Sequence, residues 1–411
     1  MGKKSTRRGE GARPHWEALE EWVRGNVQQY IQRLLEDEVA EFLGRQKSER
    51  RDQVGTPRGY RNGYGKPRRL TVSCGTITVK RPRVREAEEQ FVSRVLPLFK
   101  RKSTAVSELL PELYLHGLAH GDFDLALRGL LGEGAPLSAS TVARLKEKWQ
   151  AEFEQWQSRP LKDVHAVYLW VDGIYVKAGL EKEKAALLVV LAALSDGRKV
   201  VLAVVPGHRE STESWSAVLR DLQQRDLACP KLVVGAGHLG IWGALRNVYP
   251  QAAEQRCWNH KIANVLDKVP KRQHAAAAKL LGAIRYAETR RTAERGREHF
   301  GYWCAQRGHR KAAECLGADW DRLVSDYDFP KEQWQHLRTS NPVESPFSAA
   351  RLRTDAARRF KKVANATAVI WKILLVAERA LRRVKHPELM KGVYEGVLYT
   401  DGLPVRTKAA A

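Results

Sequence analysis

The sequence predicts a mixed α/β domain that opens on three apolar strands, is interrupted by a long all-helical stretch, and follows a mainly helical, strongly basic N-terminal region. Three observations carry this. His165-Ala-Val-Tyr-Leu-Trp-Val171, Ala185 to Leu194 and Lys199-Val-Val-Leu-Ala-Val-Val205 are dense enough in apolar residues to be buried strands. From Asn264 to Trp334 the chain is rich in Ala, Lys and Arg at helical periodicity, with aromatic residues at Tyr286, Phe300, Trp303 and Trp320. Between Trp16 and Leu43, residues Leu19, Val23, Val27, Tyr30, Ile31, Leu34 and Phe42 recur at steps that describe an amphipathic helix.

A chain of 411 residues exceeds the ~250 at which single cores stop growing, so several domains are expected. Its 71 Lys+Arg against 47 Asp+Glu give a formal charge of +24, an excess that a polyanion would neutralise. Nucleic acid is the expected partner. A membrane is not, because no apolar run approaches the ~20 residues needed to span one. The N-terminus, MGKKSTRRGEGARPHW, is basic without an apolar signal core, and the five scattered cysteines (Cys74, Cys229, Cys257, Cys304 and Cys315) do not read as a disulfide framework. A cytoplasmic, nucleoid-associated location is expected, with both ends, including the terminal RTKAAA, mobile.

Along the N-terminal part, taken as residues 1–105, Gly44 ends the first helix and a cationic stretch follows from Arg45 to Arg85. Within it, Arg58-Gly-Tyr-Arg-Asn-Gly-Tyr64 mixes cations, aromatics and permissive glycines. Such a segment follows a phosphate backbone while its tyrosines stack, which makes Arg58, Tyr60, Arg61, Tyr64, Arg68 and Arg69 candidate DNA contacts. The competing reading is a solvated basic loop. Leu70 to Lys80 alternates in type around Cys74-Gly75 and reads as a β-hairpin. Residues 106–160 hold a short helix near Asp122–Leu131, a turn at Gly132-Glu-Gly-Ala-Pro136, and a second helix that Ser138 or Ser140 caps. The pair resembles a helix-turn-helix with Thr141, Arg144 and Lys146 near the start of the second helix, although an ordinary helical hairpin has the same pattern.

The core proper begins at 161. After the three strands come a helix from Ser211 to Arg225, a strand at Lys231-Leu-Val-Val-Gly235 and a helix from Leu239 to Val248. Strand, strand, strand, helix, strand, helix is the order of an RNase H-like domain, and also of other α/β folds. The acids decide between them. Asp172 follows the first strand, with Gly173 leaving room beside it. Glu344 lies in Arg338-Thr-Ser-Asn-Pro-Val-Glu-Ser-Pro-Phe347, where Pro342 suits a first helical turn. Neither is diagnostic alone, because acids are common at strand ends and helix starts. The remaining boundaries are a first core part at 161–262, an all-α insertion at 263–335, a last core part at 336–390 and a tail at 391–411.

Val234-Gly-Ala-Gly-His-Leu-Gly-Ile241, Gln255-Arg-Cys-Trp-Asn-His-Lys261, Asn341-Pro-Val-Glu-Ser345 and Arg351-Leu-Arg-Thr354 occur in an order and spacing that resemble the bacterial insertion sequence 256 family of transposases, relatives of the Mutator elements. The likeness runs over nearly the whole chain. It implies a DNA transposase of the RNase H-like, three-carboxylate (DDE) type that binds terminal inverted repeats, cleaves strands with Mg2+ and transfers the freed 3′-hydroxyl to target DNA. It further implies that Asp172 and Glu344 are the first and third catalytic carboxylates and metal ligands. The second falls on Ala236, where the family has aspartate. Three such carboxylates hold two Mg2+ ions. Ala236 offers no side-chain oxygen, so this form is expected to bind DNA without cutting it. An engineered replacement accounts best for one vacancy among intact motifs, since inherited decay scatters damage. His238 is a poor Mg2+ ligand, and Asp196, Asp221 and Asp226 belong to other elements.

Cys257-x-x-His260 has ligand spacing, and Cys304 with His309 would complete a zinc site. The stronger reading puts Cys257 in the core and His260 near the active site, with Trp258 either core or a base-stacking platform. His238, Trp258, His260, Arg338, Asn341, Arg351 and Arg353 are the candidate DNA contacts around the acids, with Arg358, Arg359, Lys361 and Lys362 beyond them. A homodimer is expected, because two transposon ends must be brought together, and the N-terminal helix offers a surface for it. Two other functions compete: a catalytically silent DNA-binding regulator, and a nuclease of the same fold.

Overall fold

The computed structural model describes residues 16–49, 59–97, 101–115, 139–178, 184–207, 209–237, 239–357 and 359–405. The chain divides into two compact units, Met1–Ala143 and Arg144–Ala411. Among the described residues, no helix is long and apolar enough to cross a membrane.

In the first unit, helix α1 (Trp16–Leu43) ends at Gly44, which adopts a left-handed φ of 61°. Its Leu35 packs with Leu70, Ile77, Val79 and Leu96 around the hairpin of β2 (Arg68–Val72) and β3 (Gly75–Val79). Gln28 and Gln32 of α1 finish the hydrogen bonding of that strand. The Gln28 Oε1 accepts from Thr78 N (3.0 Å), and the Gln32 amide both accepts from Lys80 N and donates to Lys80 O, each at 2.9 Å. Part of the apolar face expected to dimerise is thus used within the unit, whereas Trp22 and Tyr30 remain exposed. For the Arg58–Tyr64 segment the competing expectation was a solvated basic loop. Its described part is instead a strand, β1 (Tyr60–Tyr64), paired antiparallel with β4 (Pro82–Arg85). Among the described residues, the unit therefore holds four strands beside its helices. Helix α2 spans Thr104–Leu115. The first helix and turn of the expected helix-turn-helix, with Ser138, lie outside the described residues.

Helix α3 (Ala139–Gln157) begins before the boundary and leads into the second unit's five-stranded mixed sheet of order β7-β6-β5-β8-β9. Strands β5 (Ala166–Val176), β6 (Ala185–Leu194) and β7 (Lys199–Gly207) form an antiparallel meander, and β8 (Leu232–Gly235) and β9 (Ala253–Arg256) add in parallel. Alternation along β5 assigns its two faces. Leu169 and Val171 join the core under α4 (Thr212–Gln224) and α5 (Leu239–Val248), with Leu188, Trp215, Leu219 and Trp242. On the opposite face the Tyr168 hydroxyl bonds Gln333 Oε1 at 2.6 Å and the Trp170 indole donates to His336 O at 3.0 Å. Ser211 caps α4 by accepting from Ser214 N.

Helices α6 (Trp258–Leu266), α7 (His274–Arg285), α8 (Arg290–Gln306), α9 (Arg310–Gly317), α10 (Trp320–Leu323) and α11 (Trp334–Leu337) follow, with their own core around Phe300, Cys304, Leu316 and Trp320. Then come α12 (Asn341–Glu344), α13 (Phe347–Ala357), α14 (Val363–Glu378), which packs on β7, and α15 (Glu388–Glu395). The stretch expected as a tail is ordered as far as a small hairpin, β10 (Tyr399–Thr400) with β11 (Leu403–Pro404). Gly402 ties this hairpin down by backbone bonds to Tyr327 and Lys331. The terminal residues expected to be mobile, 1–15 and 406–411, lie outside the described residues.

Candidate active site

The sheet register places two of the sequence-predicted positions side by side. Gly235, the last residue of β8, pairs with Val171 in the parallel ladder with β5. Asp172 and Ala236 are the next residues on each chain, so both stand at the carboxyl edge of this parallel pair. Strand β5 does not end there as expected: Gly173 to Val176 continue to pair with β6 after β8 has left. Asp172 thus lies where one side of β5 is paired and the other is open. Helix α12 packs on β5 and β6, with Pro342 in its first turn as the sequence predicts, and presents Glu344 at its end.

The loop after β8 is gripped from below. Gly237 has φ 102°, and a Cβ there would lie 2.2 Å from the Arg256 guanidinium carbon, so only glycine fits. Arg256 donates to Gly237 O at 3.0 Å and pairs with Asp319 at 3.0 Å. Asp319 also holds the buried Lys261 at 2.6 Å. Cys257 N donates to Gly235 O and Trp258 N to Arg338 O, which stitches the start of α6 to both β8 and the segment leading to Glu344.

Ser340, fully buried, is the hub at Glu344. Its hydroxyl donates to the Glu344 carboxylate and lies 3.4 Å from His260 Nδ1, and its amide donates to Cys257 Sγ at 3.3 Å. His260 Nδ1 is 3.9 Å from Glu344 Oε1. Ligand-type atoms of Cys257, His260 and Glu344 lie within 4.8 Å of one another. The structure therefore takes Cys257 and His260 to Glu344. Cys304 is in the helical core and the His309 ring bonds Gln273 at 2.6 Å. Burial alone would push the Cys257 thiol up, but hydrogen bonds with His260 and Ser340 outweigh it and hold the thiol below its usual value. The bond to Cys257 in turn raises the His260 imidazole to about 8 against the opposing effect of burial, with Cys257, Glu344 and Asp172 adding electrostatically.

Glu210 is a residue the sequence reading missed. Its carboxylate lies against Gly173, where a Cβ would meet Oε1 at 2.6 Å, and it accepts from the Tyr175 hydroxyl at 2.9 Å. Burial pushes Asp172 up to about 7, with Glu210 and Glu344 adding repulsion, against the Gly173 amide and His260, which favour the charged form. A carboxyl group pushed up in this way keeps its proton in the folded chain at pH values where the unfolded chain has lost it. The fold therefore loses stability as pH rises from about 4 to about 7. Asp172→Asn removes this penalty. In chelator, thermal or urea unfolding should show the variant more stable than the parent at pH 8, by up to about 4 kcal/mol, with the difference vanishing near pH 4. A difference that does not change with pH would refute this electrostatic reading.

The chain matches the family model described as "Transposase, Mutator family" over residues 5–382. It is 42% identical over 297 residues to the transposase for insertion sequence element IS6120 of Mycolicibacterium smegmatis, covering 72% of this chain and 92% of that one. The chain belongs to the Mutator family of transposases. A second relative, the transposase for IST2 of Acidithiobacillus ferrooxidans, is 36% identical over 283 residues, 68% of this chain and 95% of its own length. The transposase for IS256 in transposon Tn4001 of Staphylococcus aureus is 23% identical over 345 residues, 83% of this chain and 86% of its own.

The other candidate contacts of this Mutator-family chain fall into three groups. Tyr60, Tyr64, Arg69, Arg144, Asn341 and Arg351 are exposed. Arg45 and Lys47 lie over the Tyr60 and Tyr64 rings at 5.6 and 5.4 Å, so cations and aromatics interleave there. Arg61 is paired with Glu36 at 2.8 Å and Arg68 is half-buried. Trp258, Arg338 and Arg353 are buried. Trp258 donates to Leu323 O, which favours the core reading of that residue, and Arg338 pairs with Asp326 at 2.7 Å. Arg58 and His238 lie outside the described residues, as does Arg358. Asp196 and Asp221 pair with Arg198 and Arg225.

Proposed function

We propose that this chain is the transposase of an insertion sequence, with an RNase H-like catalytic domain interrupted by the helical stretch 263–335, and that Asp172, position 236 and Glu344 are its three catalytic positions. The observation that carries the reading is the pairing of Gly235 with Val171. It sets Ala236 beside Asp172 at one sheet edge, on the strand against which the Glu344 helix packs. Nothing in the motif spacing alone would bring these three together.

The donor chemistry fits Mg2+ at two of the three positions. Asp172 and Glu344 are hard oxygen ligands, and Asp172 sits among carboxylates whose repulsion a divalent cation would relieve. Position 236 brings no oxygen. Held by three carboxylates, a Mg2+ pair would supply activation of the attacking water or 3′-hydroxyl and stabilisation of the leaving oxygen. The chain's own residues do the rest. Ser340 fixes the rotamer of Glu344, Cys257 holds the Ser340 amide, and His260 places positive charge beside the carboxylate. The grip of Arg256 on Gly237 holds the 235–237 turn whatever occupies position 236. The chain as written is therefore a DNA-binding but non-cleaving form.

Duplex DNA carrying the terminal repeats that flank the gene is expected to bind the chain, with an affinity that falls steeply with salt. If six phosphates are engaged, the loss between 50 and 200 mM is about 10³-fold. Undetectable or salt-independent binding in a filter or anisotropy titration would defeat the reading. A silent regulator would pass this test yet stay inert after Ala236→Asp, and a nuclease of the same fold would cut DNA lacking the repeats without joining the product to a target.

A further inference from the structure

One exposed aromatic ring is linked to Glu344 by a series of side-chain contacts and one step along the backbone. Glu344 is held by Ser340, which precedes Asn341 at the start of α12. The Asn341 Oδ1 accepts from Asn259 Nδ2 at 3.0 Å, and the Asn259 Oδ1 accepts from Arg285 Nη1 at 2.7 Å. The Arg285 guanidinium then lies 5.0 Å from the centre of the Tyr286 ring. Tyr286 closes α7, its amide bound to Gly282 O at 3.0 Å, so the backbone beneath the ring is fixed. The ring itself is 67% exposed.

An exposed tyrosine by itself means little. Tyr302, 65% exposed on the neighbouring helix α8, is such a case and has no link of this kind among the described contacts. What distinguishes Tyr286 is its anchored cation on one side and the contacts that lead from that cation to the helix carrying Glu344. Resting on the transposase reading above, we propose that Tyr286, backed by Arg285, is the stacking platform for an unpaired nucleobase of the DNA strand entering the active site. The chemistry matches. An aromatic ring stacks any base, an arginine beside it adds cation–π attraction and draws in the adjoining phosphates, and a strand opened next to the reacting phosphate offers a base with a free face. Trp258, the other aromatic candidate, is buried and cannot take this part.

The probe is a terminal-repeat duplex with a short single-stranded end carrying 2-aminopurine, titrated with the full chain alongside the fully paired duplex. Binding of the junction by the unaltered chain should quench the 2-aminopurine. Tyr286→Ala should abolish the quench and weaken junction binding roughly 5- to 150-fold, the range observed for loss of one base stack. Binding of the paired duplex should change less than about twofold, because paired bases offer no free face. Tyr286→Trp should restore the quench, a rescue that a merely structural role would not give, and Tyr302→Ala should leave both readouts unchanged. Junction binding and quenching that ignore Tyr286→Ala would overturn this inference alone. Failure of the unaltered chain to bind either DNA would overturn the transposase reading and the inference with it.

Discussion

Replacing Asp326 with alanine is expected to cost the 144–411 unit about 3–5 kcal/mol. Asp326 is fully buried and accepts from Arg338 Nε at 2.7 Å. The Arg338 guanidinium is itself buried over the rings of Trp334 and Tyr327, at 4.7 and 5.5 Å. Burial pushes the Asp326 carboxyl up to about 6 despite its partner, so the pair is a costly feature that survives only because both members are present. Alanine leaves a buried cation without its carboxylate. Asparagine, which still accepts a hydrogen bond, should cost less. At roughly 2–4 °C per kcal/mol for a unit of this size, Asp326→Ala should melt roughly 6–20 °C below the parent. A loss under about 1 kcal/mol would mean that Arg338 finds water when abandoned. The same substitution should disturb the site, because Arg338 O receives the Trp258 amide and Ser340 lies two residues on.

Ala236→Asp carries the largest expected effect on activity. Without a cation it adds a third carboxylate beside Asp172, which burial and Glu210 already push up, so in chelator the variant should be less stable than the parent. With Mg2+ the sign reverses. A ligand present at 100 times its Kd stabilises by about 2.7 kcal/mol, which is roughly 5–10 °C here. On the proposed three-carboxylate site, the parent should respond far less. Cleavage should rise at least about 10³-fold, since a properly held metal pair lowers the barrier by several kcal/mol and each 1.36 kcal/mol is tenfold. Ala236 is partly exposed, and the turn around it is held through Gly237 and Arg256.

What could be read from the sequence follows from which forces leave a local trace. The strands β5 to β7 and helices α4 and α5 were legible because burial on a regular element writes apolar periodicity. So was the Glu344 turn, because Pro342 marks a helix start whatever surrounds it. Strand β9 was not. Its Gln255 and Arg256 are buried through long-range bonds to Leu323, Asp326 and Asp319, and nothing in Ala-Glu-Gln-Arg announces that. Strand β1 was also missed, because Tyr60 to Tyr64 is polar, contains Gly63 and is a strand only by virtue of its pairing with β4. Within the site, Asp172 and Glu344 had motif context, whereas Glu210 contributes only through tertiary neighbours, Tyr175 and Gly173, and Ser340, although four residues from Glu344, is joined to Cys257 and His260 only by the fold. The positively charged residues were the least legible. Arg338 and Arg353 look like phosphate contacts in the sequence, yet in the structure both are buried.

The central claim is that position 236 is the missing member of a three-carboxylate site with Asp172 and Glu344. Single-turnover strand cleavage of a terminal-repeat duplex in Mg2+, run on the parent, on Ala236→Asp and on Ala236→Asp combined with Glu344→Gln, tests it most directly. Cleavage that appears with Ala236→Asp, leaves a 3′-hydroxyl that joins target DNA, and disappears again with Glu344→Gln is the result predicted. A folded, DNA-binding Ala236→Asp variant that leaves the duplex intact, or one whose cleavage is indifferent to Glu344→Gln, would contradict it.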